Sequence, residues 1–340
     1  MKLMNEGIAW LARRDGSVVV GHGPFCSVDT PPESGVAFFK RSFCELDELP
    51  WQIPQRVEHL TLKQFQENFS DDSGKLEIDW ETPDAMPFSL VFQEIMSCIG
   101  QGLIEKTVPV VTERGTVRGA IPPTARIMAA MSAQRAPLHV YGWVSADSGF
   151  AGATPELLLS MRGLSLETMA LAGTARQEDE AVFGVDEKEI REHEYVAQTL
   201  VAKLLDLGQL SRKEREVMRL GSIVHFLTGI SVDLESPQEP HRLLRRLHPT
   251  PALGPLPRTD QTMAMLGEWR QRLGCPVEFG APFGVWDNGA FEAVVAIRGL
   301  WWQGNKILLP AGCGIIEASR LVNEWRELRL KREAVKRFLL

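Results

Sequence analysis

Hydrophobic patterns of period two and period 3.6 follow one another irregularly along this chain, and that order limits the folds open to it. Short alternating runs at 8–12, 17–20, 35–39 and 76–80, separated by turns, fill the first 85 residues. The Ser-Asp-Asp-Ser-Gly stretch at 70–74 is turn chemistry. Phe88, Val91, Phe92, Ile95, Met96 and Ile99 then recur at helical spacing, closed by Gly100 and Gly102. A strand-like run at 106–112 and a helix at 124–133 follow, then strands at 138–144 and 156–161. Two long helices are expected at 187–207 and 317–339, with strands at 290–300 and 306–309 between them. Regular alternation of strand and helix would give a doubly wound parallel sheet. This mixed order favours an α+β fold with substantial antiparallel sheet.

The composition excludes several classes of function. A net charge of -7 argues against nucleic acid as a partner, because phosphate neutralisation needs a basic face, and against adhesion to an anionic membrane. No apolar run approaches the ~20 residues of a membrane helix. Glu6, Arg13, Arg14 and Asp15 interrupt any signal-peptide core, so a cytoplasmic location is expected. The five cysteines (26, 44, 98, 275 and 313) are widely spaced, with no C-x-x-C pair. Reduced, mostly buried thiols are expected rather than a zinc ribbon or a redox dithiol. By length alone, 340 residues suggest roughly two domains.

Three constellations could carry chemistry. Glu189 and Glu192 share one face of the first long helix, and Glu324 and Glu327 share one face of the second, continued by Lys331. Two such pairs could converge on a hard divalent cation, although most residues at this spacing sit on a solvated, salt-bridged face. Strand alternation places Lys106 on the face of Val108 and Val110; buried there it becomes a usable base, and at a strand end it simply reaches water. The Ala-Gly-Cys-Gly stretch at 311–314 lies between a strand and a helix, where glycine amides can approach an anion, or simply make a tight turn. His193, His225 and His248 are scattered, and a buried, hydrogen-bonded imidazole is the expectation for each.

Read together, the segments resemble the chorismate-utilising enzymes. Gly-Leu-Ile-Glu-Lys-Thr-Val at 102–108, Gly-Ala-Thr-Pro-Glu-Leu-Leu at 152–158 and Leu-Ala-Gly-Thr-Ala-Arg at 171–176 are similar to that family's motifs. So are Lys-Glu-Ile-Arg-Glu-His at 188–193, Leu-His-Pro-Thr-Pro-Ala at 247–252, Ala-Ile-Arg at 296–298, Ala-Gly-Cys-Gly-Ile at 311–315 and Glu-Trp-Arg-Glu at 324–327 with Lys331. Each is weak alone; eight in family order over 102–331 are specific. The resemblance implies one large chorismate-binding domain over 1–340, with a strand-rich part at 1–85 and a catalytic core at 86–340. Stacked antiparallel sheets would form a sandwich with helices outside. Mg²⁺ would be the only cofactor.

The resemblance also implies roles. Lys106 would activate water and Glu156 would protonate the departing C4 hydroxyl. Glu189, Glu192, Glu324 and Glu327 would hold Mg²⁺. Arg298, Lys331 and the Gly312 and Gly314 amides would bind carboxylates, with Thr174 and His225 lining the ring site. Lys106 and the Glu-His-Glu-Tyr-Val run at 192–196 are similar to the water-using, isochorismate-forming branch, whereas ammonia users typically carry glutamine at the lysine position. Ala172 stands where some aminating relatives carry a covalent lysine. Isochorismate synthase is therefore the leading expectation. Salicylate synthase, an aminating (anthranilate or aminodeoxychorismate) synthase subunit needing a glutaminase, and a non-catalytic chorismate binder are the alternatives. No glutaminase partner is expected, and the chain would be a monomer or homodimer. Phe279, Pro255 and Ser-Arg-Leu at 319–321 depart from the usual family pattern.

Overall fold

The computed structural model describes residues 7–44, 48–68, 76–118, 124–134 and 137–339. The expected turn at 70–74 lies outside the described residues. The chain opens with β1 (Ile8–Ala12), β2 (Ser17–Val28), β3 (Val36–Lys40) and β4 (Trp51–Thr61), a short helix α1 (Leu62–Glu67) and β5 (Ile78–Trp80). Helix α2 (Ala85–Gly100) is capped by Asp84, whose carboxylate accepts the Met86 N–H, and buries Phe88, Val91, Phe92 and Ile95. Then come β6 (Lys106–Thr107), β7 (Val110–Val117), α3 (Thr124–Ser132), β8 (His139–Ser145), β9 (Ser148–Thr154), β10 (Leu157–Arg162) and β11 (Ser165–Arg176). A short α4 (Glu180–Phe183) precedes the long α5 (Glu187–Leu204), which Asp186 caps through the Glu189 N–H. Strands β12 (Gly208–Arg212), β13 (Glu216–Leu220) and β14 (Ile223–Leu234) are followed by α6 (Pro240–Leu247) and α7 (Asp260–Arg272). The chain ends in β15 (Pro282–Asp287), β16 (Ala290–Val295), β17 (Gly299–Gln303), β18 (Lys306–Gly312), β19 (Ile315–Ile316) and α8 (Leu321–Lys336).

Seventeen of these strands form one hydrogen-bonded network in which the pairings are antiparallel; β6 and β19 pair separately. The network folds over itself. Phe283 of β15 packs edge-on against Phe150 of β9 at 5.5 Å between ring centroids, although those strands share no hydrogen bonds. The expected α+β class and its stacked antiparallel layers are thus present.

Four local expectations are corrected. The run 106–112 breaks at Val108–Pro109 into β6 and β7, because proline cannot donate to a ladder. The run 290–300 breaks at Arg298, whose φ of 57° is left-handed, giving β16 and β17. The last long helix starts at Leu321 rather than 317, after β19. Thiols are not mostly buried: Cys26 and Cys44 are exposed and Cys313 alone is fully buried. All five are free, and no described helix is long and apolar enough to cross a membrane.

Candidate active site

Helices α5 and α8 direct polar residues inward, contrary to a solvated face. The buried stripe of α5 includes Glu192 and His193, and that of α8 includes Glu324 and Arg332. Lys106, on β6, is wholly buried, and its Nζ lies 3.1 Å from Glu192 Oε1. Burial disfavours ionising Glu192, but Lys106, Lys188 and Lys331 outweigh it and hold the carboxyl down at about 2. Gly314 faces this pair. A β-carbon there would collide with Glu192 Oε1, so any larger residue would push the Glu192 carboxylate from its place beside Lys106.

A cavity of about 680 Å³, mouth included, opens between the layers. It is lined by Glu156, Thr174, Glu192, His225, Arg298, Gly312, Gly314 and Lys331, with apolar walls from Leu171, Ala172, Leu253, Phe279 and Ile297. Eight of the twelve expected site residues therefore meet in one place. Lys106 lies behind the lining, reached through Glu192. Glu156 follows β9 and Pro155, and its carboxyl is pushed up to about 8 by burial against the opposing charges of Lys106, Lys331 and Arg298. Burial lowers Arg298 to about 10, which leaves it charged at neutral pH. Its Nη2 lies 2.9 Å from His225 Nε2, and His225 Nδ1 lies 2.7 Å from the Gly173 carbonyl. His193 and His248 are, as expected, buried and bonded, to Thr228 Oγ1 at 2.8 Å and the Phe43 carbonyl at 2.9 Å.

The glycine stretch needs correction. Helix α8 begins only after β19, so Gly312 and Gly314 mark no helix N-terminus. The Gly312 carbonyl accepts from Lys331 Nζ at 2.8 Å, and Lys331 also pairs with Glu327 at 2.6 Å.

Glu189, Glu324 and Glu327 line a neighbouring, wider cavity with Lys188; Thr174 borders both. Sequence reasoning gives Lys188 no role, although its i,i+4 spacing to Glu192 is the signal that could find it. Its Nζ stands 2.9 Å from Glu189, 3.3 Å from Glu192 and 3.4 Å from Glu324. Burial would strip its proton, but the four glutamates raise its pKa instead. Burial also lifts Glu189 to about 7 and Glu324 to about 8, with neighbouring glutamates adding to the lift and Lys188 opposing it. The all-oxygen donor set fits Mg²⁺, and the buried Glu324 Oε2 has no hydrogen-bond partner. Among the described residues no three His, Cys, Asp or Glu side chains stand close enough together to hold a metal, and the glutamates here gather around Lys188.

Known proteins resemble this chain in sequence and in fold. Isochorismate synthase MenF of Bacillus subtilis is 32% identical over 210 residues, 57% of this chain and 43% of that protein. Isochorismate synthase EntC of Escherichia coli K12 is 32% identical over 200 residues, 55% of this chain and 50% of its own length. The chain thus spans about half the length of these curated relatives. Among solved structures, the menaquinone-specific isochorismate synthase MenF of Escherichia coli superposes with a TM-score of 0.83 at 19% identity, over 99% of this chain and 89% of that one. The family model described as chorismate binding enzyme matches residues 38–340, and the chain belongs to that family.

Proposed function

We propose that this chain is an isochorismate synthase, adding water at C2 of chorismate and expelling the C4 hydroxyl. The observation that carries the reading is Glu156, a buried carboxyl held up at about 8 in a cavity that Arg298, Lys331 and the ionised Glu192 also line. A protonated acid among cations suits a dianion that must lose a hydroxyl. The names of the relatives support the same reading.

Arg298 and Lys331 receive the carboxylates by charge-assisted hydrogen bonds. Glu156 gives its proton to the C4 oxygen as that bond breaks, the two ring double bonds each shift by one position, and water bonds to C2. The water's proton goes to the Lys106 amine. Lys106 must first part from Glu192 and release its own proton. Ala172 offers no amine to the cavity it lines, which supports water as the nucleophile. Glu189, Glu192, Glu324 and Glu327 would hold Mg²⁺ once Lys188 gives way. When bound, the ion supplies positive charge against the ring carboxylate. The reading requires no glutaminase, nucleic acid or membrane.

The test incubates the protein with chorismate and Mg²⁺ in ¹⁸O-water and separates the products by chromatography, with and without ammonium. Isochorismate labelled on C2 is expected, with little amino product. Aminated product formed only when ammonia is supplied overturns the proposal, and salicylate as the accumulating product replaces it with salicylate synthase.

A further inference from the structure

Arg298 occupies left-handed backbone at φ 57°, a region that disfavours a β-carbon, and its surroundings clamp it there. The Tyr141 hydroxyl donates to the Ile297 carbonyl at 2.8 Å, and the Arg298 carbonyl accepts from the Ala153 N–H at 3.1 Å. The backbone is thus fixed on both sides of the residue, while the long side chain still has to be aimed.

His225 meets it. Arg298 Nη2 lies 2.9 Å from His225 Nε2. A guanidinium has donors only and keeps its charge, so Nε2 must be the acceptor and the ring proton must sit on Nδ1. Nδ1 lies 2.7 Å from the Gly173 carbonyl, an acceptor only, and 3.2 Å from Thr174 Oγ1. With a proton already on Nδ1, the Thr174 hydroxyl cannot donate to the ring. Its own proton is left for the cavity it lines.

We infer that His225 is a positioning residue rather than a substrate ligand: a neutral imidazole, fixed as the Nδ1–H tautomer, that anchors on the Gly173 carbonyl and aims the Arg298 guanidinium. Both ring nitrogens are spent, so the ring has no proton to give a substrate and no lone pair to lend. Gly173 has a φ of 76°, so the anchoring carbonyl is itself set by backbone that glycine allows. Burial, then the charges of Arg298 and Lys331, press His225 well below the usual histidine range, with Glu192 opposing; a ring that stays neutral fits the relay. The functional consequence rests on the reading of Arg298 as a carboxylate anchor.

The tautomer is read on the full chain without substrate. In a nitrogen-15 spectrum of labelled histidines, the His225 signals are identified by their loss in His225→Gln. A protonated Nδ1, a bare Nε2 and no titration between about pH 6 and 8 are expected. An Nε2–H ring, a doubly protonated ring, or titration in that window overturns the inference. Kinetics reads the consequence. His225→Leu removes the acceptor at similar bulk and should raise KM for chorismate about tenfold or more with kcat little changed. His225→Gln, whose amide oxygen can take the place of Nε2, should recover most of the affinity. An unchanged KM in His225→Leu, a loss in kcat alone, or a glutamine variant no better than leucine overturns the positioning role. If the wild type does not turn chorismate over, the isochorismate synthase proposal fails by itself. The spectrum, and calorimetric binding of benzoate to the wild type and both variants, still decide the relay.

Discussion

Helix α8 carries a buried charge cluster at each end, and the two are built on opposite terms. Toward its C-terminus, Arg332 and Lys336 both reach Glu113 of β7, at 3.2 and 2.7 Å, so one acid is shared by two bases. Toward its N-terminus, Glu324 and Glu327 join Glu189 and Glu192 of α5 around Lys188, so acids outnumber the base at the centre. The first cluster has a counter-charge for its carboxylate and faces no cavity described above. Each cluster leaves one buried polar atom unpartnered, Arg332 Nη1 in the first and Glu324 Oε2 in the second, but only the second has more acids than bases and opens onto two cavities. A charge cluster that closes on itself locks elements together, whereas one left unbalanced is poised for something else to complete it.

The largest expected effect breaks that contrast at the unbalanced end. Glu327→Ala, like Glu192→Ala, should abolish Mg²⁺-dependent turnover, since one fewer oxygen donor leaves a hard cation under-coordinated. Full activity of the purified wild type in excess EDTA would remove the metal from the account. Glu324→Gln should lose turnover as well, yet raise Tm. A carboxyl whose folded pKa is lifted to about 8 loses its favoured neutral form as pH climbs from the unfolded value of 4.5 through 8, and glutamine cannot lose it. A lowered Tm in that variant at pH 8 contradicts the argument.

Next come the two groups given proton-transfer roles. Lys106→Gln should lose most water-dependent turnover, because a neutral amide takes no proton, while its product analysis still shows no amination. Glu156→Gln should reduce kcat by about 10²–10⁴. In the wild type, activity should fall as pH rises through about 8, where Glu156 gives up the proton it must donate. A rate that is flat to pH 10 contradicts Glu156 as the acid.

The closed cluster should behave in the reverse way to Glu324. Glu113→Gln leaves Arg332, buried at 2% exposure, without its carboxylate. A loss on the order of 3 kcal/mol is expected, read as a Tm several degrees lower, with turnover per folded molecule unchanged. If Glu113→Gln and Glu324→Gln shift Tm in the same direction, the two ends of α8 are not different in kind.

The sequence revealed the strands and helices with clean periods, such as β1, β8, α2 and α5, to within a few residues. It hid β4, where Pro54 and the polar run Gln-Arg-Val-Glu-His mimic a loop; the strand survives because it pairs along β2, with Pro54 near a register shift. It also hid α6, whose Arg-rich face masks the buried Leu243, Leu244 and Leu247. The break at Arg298 carried no local signal, because its left-handed backbone is imposed by Tyr141 and Ala153 from distant strands. The family resemblance pointed to the residues of the candidate site, and eight of them line one cavity. What the linear pattern could not carry was who neutralises whom: Lys188 within the glutamates, Lys106 spent on Glu192, and His225 spent on Arg298.

The smallest effect tests whether a lifted carboxyl is by itself a mark of function. Glu292, on β16, is raised to about 7 by burial, against the Arg14 backbone N–H and the charges of Arg13 and Arg14. Its Oε1 accepts that N–H at 3.1 Å and lies 3.4 Å from His139 Nδ1. It resembles Glu156 in its shift and differs in its outlook, since it lines no part of the Glu156 cavity. The folded state prefers neutral Glu292, so its contribution is present below the unfolded pKa near 4.5 and is lost as pH rises through about 7. Glu292→Gln keeps a neutral acceptor for the Arg14 amide. Between pH 5 and 8 the wild-type Tm should fall more steeply than that of the variant, by about a few degrees, and turnover should be the same in both. Parallel Tm curves would mean that Glu292 is ionised and solvated in the folded protein. A lost turnover would mean that cavity lining does not separate the working carboxyl from the merely buried one.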